Sequence, residues 1–152
     1  MLDEPREWTR DDFVISTDRA RLDIDVVHEY LSTSYWAKGM PREILQRGIE
    51  NSLVFGVYHG APQVGFARVI SDLATYAYLS DVFILESHRR RGLSKWLMEC
   101  VLAHPDLQGL RRFALFTRDA QGLYERYGFA PSRSTSIYLE RWTPNVYSTP
   151  AS

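Results

Sequence analysis

Two apolar runs, residues 74–85 (ATYAYLSDVFIL) and 111–117 (RRFALFT), are joined by a basic turn and a helical pattern. This segment constrains the fold more than any other part of the chain. The turn is HRRRGLSKW, and Leu93, Leu97, Cys100, Val101 and His104 then recur on one helical face until Pro105 stops the helix. A strand, a crossing helix and a second strand make the two strands parallel, and such crossovers are right-handed in nearly every case. The second run has few polar interruptions, which predicts a strand covered on both faces.

Upstream, SLVFGVYHG and APQVGFARVI are strand-like, with YHGAPQ between them carrying the turn chemistry of a hairpin. Before these, DDFVIST (residues 11–17) reads as a short strand. Asp18 is a candidate cap, and Ile24, Val27 and Leu31 give helical spacing across residues 22–34. Pro41 opens a second helix that carries Ile44, Leu45 and Ile49 and runs to about Asn51. Downstream, AQGLYERYGF predicts a short helix ended by Gly128, and SRSTSIYLERW (residues 132–142) a final strand. The order β-α-α-β-β-β-α-β-α-β predicts one α/β domain with a mixed sheet and helices on both faces. That domain spans residues 1–142, and the polar, proline-containing residues 143–152 form a tail that frays.

The composition limits the function. The 152 residues are 45% hydrophobic and 13% aromatic, enough for one real core. Basic and acidic residues balance at 18 and 19, for a net charge of −1, so bulk charge gives no support for nucleic-acid or membrane-surface binding. The opening MLDEPREW has no apolar stretch of the kind a secretory leader needs, and no run approaches the ~20 residues of a membrane span. Cys100 is the one cysteine, which excludes an internal disulfide and a cysteine-cluster metal site. His28, His59, His88 and His104 show no metal-ligand spacing. These features predict a cytoplasmic protein with no metal.

Against this neutral background, three arginines beside Gly92 stand out. A helix N-terminus carries unpaired N–H groups and partial positive charge, and is a ready anion site. Glycine lets the backbone approach a ligand without a Cβ in the way. Arginines add charge-assisted bonds to phosphate oxygens. The turn therefore suits a pyrophosphate. It is not a P-loop, because the first glycine of G-x-x-x-x-G-K-[ST] is absent, and it is not a dinucleotide G-x-G-x-x-G. GLSKW also lacks the last glycine of a nucleophile elbow. A solvated basic turn before a helix is the competing reading of these residues alone.

A second pattern, GLYERYGF, follows about thirty residues later. Arginine-x-x-glycine-x-small after a strand, then a strand, then L-Y-x-R-x-G-F, resembles the GCN5-related N-acetyltransferases. The resemblance covers residues 74–129. Arg89, Gly92 and Ser94 fall on the family's phosphate motif, with Ser94 in place of the usual glycine or alanine. It implies a mixed, mostly antiparallel sheet of six to seven strands, splayed at the crossover, and a donor site for acetyl-CoA. Val82, Phe83 and Ile84 would pair their backbone with the pantetheine arm. Arg89, Arg90, Arg91 and Gly92, with Leu93, Ser94 and Lys95, would wrap the pyrophosphate. Thr117, Asp119 and Ala120 would flank the arm, with Tyr124 and Tyr127 completing the set. Tyr127 and Phe129 also read as packing aromatics.

The implied reaction is direct attack of a primary amine on the thioester in a ternary complex, with Tyr124 as the acid that protonates the leaving thiolate. Asp81 is a candidate base, acting through water, although a satisfied polar residue at a strand bend explains it equally; Glu86 and water itself stay open. In relatives the loop between the first two helices forms the acceptor pocket. Here that loop offers Tyr35 and Trp36 as an aromatic wall for a cationic or apolar amine, or as core plugs. A compact domain with an aromatic loop favours a small-molecule acceptor. Relatives are often dimers, so a homodimer stays open. The alternatives are a non-catalytic acyl-CoA-binding module, or a nucleic-acid-interacting protein that uses the arginine turn.

Overall fold

In a computed structural model, which describes residues 4–133 and 136–147, six strands form one sheet in sequence order. They are β1 (Glu7–Arg10), β2 (Phe13–Ser16), β3 (Leu53–His59), β4 (Gln63–Ser71), β5 (Tyr76–Ile84) and β6 (Arg112–Leu115). Helices α1 (Ile24–Ser32) and α2 (Arg42–Glu50) precede β3, α3 (Leu93–Ala103) crosses from β5 to β6, and α4 (Gln121–Glu125) follows β6. Neighbouring strands are antiparallel except β5 and β6, which the crossover makes parallel. The sheet is thus mixed and mostly antiparallel, as expected.

Two cores cover its faces. On one side Ile15, Phe55, Ala67, Val69 and Leu79 pack against Trp96, Leu97 and Val101 of α3. On the other, Val54, Phe66 and Phe83 pack against Val27 and Leu31 of α1 and Leu45 and Ile49 of α2. Alternation along the strands deals successive apolar side chains to the two layers. Local signals act close to where the sequence puts them. Pro41 sits at the N-cap of α2, and Asp23 caps α1 by accepting from the amides of Asp25 and Val26. Asp18 instead caps a 3-10 turn at Arg19–Arg21.

Three expectations change. First, β1 precedes the predicted first strand. Only Trp8 of EWTR packs inward, so the segment has no period-two pattern; pairing with β2 recruits it, around a turn in which Asp11 has φ 53°. Second, of residues 132–142, expected as a closing strand, 134 and 135 lie outside the described residues and the rest form none. They join no ladder, and Ile137, Tyr138, Leu139 and Trp142 stand exposed. Third, β6 is therefore not covered on both faces. Among the described residues it pairs only with β5, its own side chains are half-buried or exposed, and Phe116 just beyond it is 73% exposed.

The feature that positions the site lies in β5. Phe66 pairs with Phe83 and Arg68 with Ser80, so Ala67 stands opposite two residues, Asp81 and Val82. This is a β-bulge, and Asp81 takes the left-handed conformation with φ 57°. The inserted residue inverts the alternation. Ala77 and Leu79 face α3 before the bulge, whereas after it Phe83 faces α1 and α2 and Ile84 faces α3. Gly65, opposite Ile84, allows the close approach: a Cβ there would lie 3.0 Å from the Phe83 carbonyl oxygen. β6 pairs with β5 only from Tyr76 to Leu79, so beyond the bulge the two strands part.

Candidate active site

The parting strands open a cleft of about 820 Å³. Its lining combines Tyr78, Ser80, Asp81 and Val82 of β5, residues 115–120 at the end of β6, Tyr124 of α4, and Tyr30 and residues 33–36 from α1 and the loop after it. Both sequence patterns and the aromatic loop thus meet at one place.

Asp81 lies at its floor, 5% exposed. One carboxylate oxygen accepts from the Trp36 indole N–H at 2.9 Å, and the other accepts from Arg68 Nε at 2.9 Å. Arg68 continues to Ser52 Oγ, which donates to the Gly48 carbonyl of α2. A buried carboxylate held by a guanidinium and an N–H is satisfied in its charged form. Asp81 therefore anchors the loop after α1 to the bulge, each of its oxygens accepting one hydrogen bond. Glu86, the other carboxylate considered as base, does not line the cleft. The sequence reading missed Arg68. Its signal was present: one charge inside VGFARVI, an otherwise apolar central strand, demands a buried partner.

Tyr124 is 8% exposed and forms part of the cleft wall. Burial raises its phenol above the ordinary value of 10, and Tyr35 and Asp119 push the same way. Tyr35 and Trp36 are not core plugs; they are half-exposed and meet edge to face, with centroids 5.1 Å apart. Arg118 lays its guanidinium 3.9 Å from the centre of the Tyr35 ring. Tyr30 stacks on Phe83 at 4.1 Å, and Phe116 meets Tyr78 at 6.0 Å. The loop is fastened: the Ser34 hydroxyl accepts from the Ala37 amide, and a ring nitrogen of His28 bonds the Met40 carbonyl at 2.8 Å.

Beside this cleft lies a cup of about 350 Å³ lined by Ile84, residues 88–90 and 92–95, and Leu123. Gly92 is the N-cap of α3 with φ 75°, and no side chain caps the helix. A Cβ placed on Gly92 would meet no atom within 4 Å, so the space before the helix is open. The first-turn amides have no intrahelical acceptor. Arg90, at φ 66°, and Lys95 add charge to the cup. The basic turn divides its work. Arg89 lines both cavities, but its guanidinium donates to the Ile84 carbonyl at 3.0 Å and to the Tyr30 hydroxyl at 3.0 Å, bracing the strand end against α1. Arg91 is not in the cup lining and acts electrostatically on Asp12 and His88. Those two are linked through His59, whose Nε2 bonds Asp12 and whose Nδ1 bonds His88.

Of the other residues, Thr117 accepts from the Ala120 amide at the start of α4, and Thr117, Asp119 and Ala120 all border the cleft. Tyr127 borders neither cavity; its hydroxyl donates to the Lys95 carbonyl and ties α4 to α3. Val82 lines the cleft and Ile84 the cup, whereas Phe83 packs into the core.

Residues 50–131 match the profile of the acetyltransferase (GNAT) domain. A Gibberella zeae protein assigned as an acetyltransferase is 32% identical over 146 residues, covering 81% of each chain. The crystal structure of a Xanthomonas campestris protein assigned to the GNAT family is 54% identical, with a TM-score of 0.89 over 93% of this chain and 100% of that one. A GNAT acetyltransferase from Elizabethkingia anophelis, solved with acetyl-CoA bound, shares the fold at 14% identity and a TM-score of 0.63, over 88% of this chain and 90% of that one. The family profile spans the bulge, the basic turn and the tyrosine motif that build the cleft, and this chain belongs to the GNAT acetyltransferase family.

Proposed function

We propose that the chain transfers the acetyl group of acetyl-CoA to the primary amine of a small molecule, by direct attack while both substrates are bound. The observation that carries this reading is the bulge at Asp81. It frees the β5 edge between an uncapped helix N-terminus on one side and a buried tyrosine on the other. The cup fits a pyrophosphate, because it offers open space at Gly92, first-turn amides, Arg90 and Lys95. The backbone of residues 82–84 and the end of β6 fit the two sides of an extended arm.

Bound acetyl-CoA supplies an activated acetyl thioester. The residues of the chain do the rest. Tyr124 holds its proton at Oη, kept there by burial, and delivers it to the departing sulfur. A lysine-like amine of pKa ~10.4 costs about 4.6 kcal/mol to deprotonate at pH 7. Asp81 already accepts one hydrogen bond at each oxygen, so we assign the proton to water in the cleft and give Asp81 the role of holding Trp36 in place. Among the described residues no helix is long and apolar enough to cross a membrane. Demand for acetyl-CoA and the buried free thiol of Cys100 support a cytoplasmic setting.

The test is a melting scan with CoA, acetyl-CoA, NADH and ATP, followed by thiol release against an amine panel. CoA species at about 1 mM raise the melting temperature by several degrees, since a ligand selective for the folded state stabilises it. Absence of that shift, with NADH or ATP producing one instead, overturns the reading.

A further inference from the structure

The acceptor end of the cleft is aromatic, with charges of both signs in its lining. Two carboxylates border it, and they differ. Asp81 is buried and paired with Arg68. Asp119 is exposed where β6 ends. Two arginines border it as well. Arg89 is tied to the Ile84 carbonyl and the Tyr30 hydroxyl. Arg118 is held by the face of Tyr35, and among the described residues no carboxylate lies within salt-bridge distance of it. Arg118 does not line the phosphate cup, so its charge is not directed at the pyrophosphate.

A cationic acceptor, such as a polyamine, needs a free carboxylate or an open aromatic face. Of the two carboxylates Asp81 is engaged and Asp119 stands in solvent next to Arg118 in the chain, while one face of Tyr35 already carries a guanidinium. Arg118 is instead a preset donor for an anion: its ring contact orients the fork without using its N–H groups. Tyr35, with Arg118 on its face, lines the same cleft as Tyr124. Trp36, Tyr78 and Phe116 supply flat apolar surface around the same space, and Trp36 is fixed there by Asp81.

We propose that the acceptor is an aromatic α-amino acid, its carboxylate bound by Arg118 and its ring packed in the wall of Trp36, Tyr78 and Phe116. This rests on the acetyl-transfer reading above. The N–C bond forms at the α-nitrogen as the C–S bond breaks. The ammonium loses two protons in all: one goes to solvent, and the sulfur gains one from Tyr124, which is replenished by the other. The products are the N-acetyl amino acid and CoA thiol.

The experiment compares thiol release for phenylalanine, tyrosine and tryptophan with release for phenethylamine, tyramine and tryptamine, and includes spermidine. For at least one pair kcat/KM favours the amino acid by about tenfold or more, the scale of one charge-assisted hydrogen bond. In Arg118→Gln that ratio falls to within about threefold of unity, and Arg118→Lys retains part of it. Arg118 is exposed, so these variants fold. The proposal is overturned if the decarboxylated amines or spermidine react as well or better, if the ratio survives Arg118→Gln, or if CoA binds but no amino acid turns over. Those outcomes leave acetyl transfer standing; failure of CoA to bind removes the transfer reading itself.

Discussion

Tyr124 combines a buried ring with a place on the cleft wall, and the two are separable by one atom. Tyr124→Phe keeps the packing against Phe129, whose ring centre is 6.0 Å away, so the melting temperature stays within a degree or two of the parent. Turnover falls about 10²-fold or more on removal of a general acid. CoA affinity changes little, and the loss shrinks with a donor whose thiol is more acidic. Single-turnover kinetics check this. At this scale the sequence was partly legible. Tyr124, which lies on the cleft wall, could be singled out because its pattern lies within eight consecutive residues, GLYERYGF. Asp81 was found but its engagement was not, because Trp36 and Arg68 are 45 and 13 residues away and only the folded sheet brings them to it. Arg118 was passed over in favour of its neighbours for the same reason: its ring partner, Tyr35, belongs to a loop far upstream.

Helix α3 does two tasks: Leu97 and Val101 pack into the sheet, while its N-terminus opens the cup proposed above for the pyrophosphate. Gly92 serves the second. Its φ of 75° costs an L-residue roughly 1–2 kcal/mol, and a side chain there would project into the open cup. Gly92→Glu lowers CoA affinity by about 30-fold or more, the loss expected for a like-charge clash at a bound anion. Gly92→Ala carries the backbone strain without the charge and loses less, and calorimetry separates the two. Elements with their own periodicity or punctuation were legible: α1, α2, α3 and the β3–β4 hairpin appear close to where apolar spacing, Pro41 and Pro105 put them. β1 was not, because it exists through pairing with β2 alone. The opposite error occurred at residues 136–142, where alternating large side chains read as a strand but join no ladder.

As a whole the molecule is a sheet between two helical layers, opened along one line by a single extra residue. The α3 layer also holds His104, 2% exposed, whose Nδ1 accepts from the Asp106 amide and whose Nε2 has no hydrogen-bond partner among the described residues. Burial lowers its pKa, and burial with Arg91 and His59 lowers that of His88. The unfolded chain therefore takes up these protons before the folded chain does. Stability is full above about pH 6.5, falls as pH drops below that, and levels off once the folded histidines titrate. Urea unfolding at pH 7.5 and 5.5 checks this: the parent's midpoint drops on acidification. His104→Asn, which preserves an acceptor for Asp106, shows a smaller drop, with the His88 contribution remaining.

The bulge also sets where the chain tolerates a change in length. In the β3–β4 turn, around Gly60, one residue more or less alters a surface loop. Between Leu79 and Ile84 the loss of one residue would restore strict alternation. Phe83 would keep the α1–α2 layer and Ile84 the α3 layer, but the bulge would be lost and the strand would run straight on beside β6. One deletion would thus leave the two cores matched and still close the slot between the strands. Across homologous sequences this short stretch should hold its residue count more strictly than its residue identities, because its spacing, more than any one side chain, keeps the sheet open.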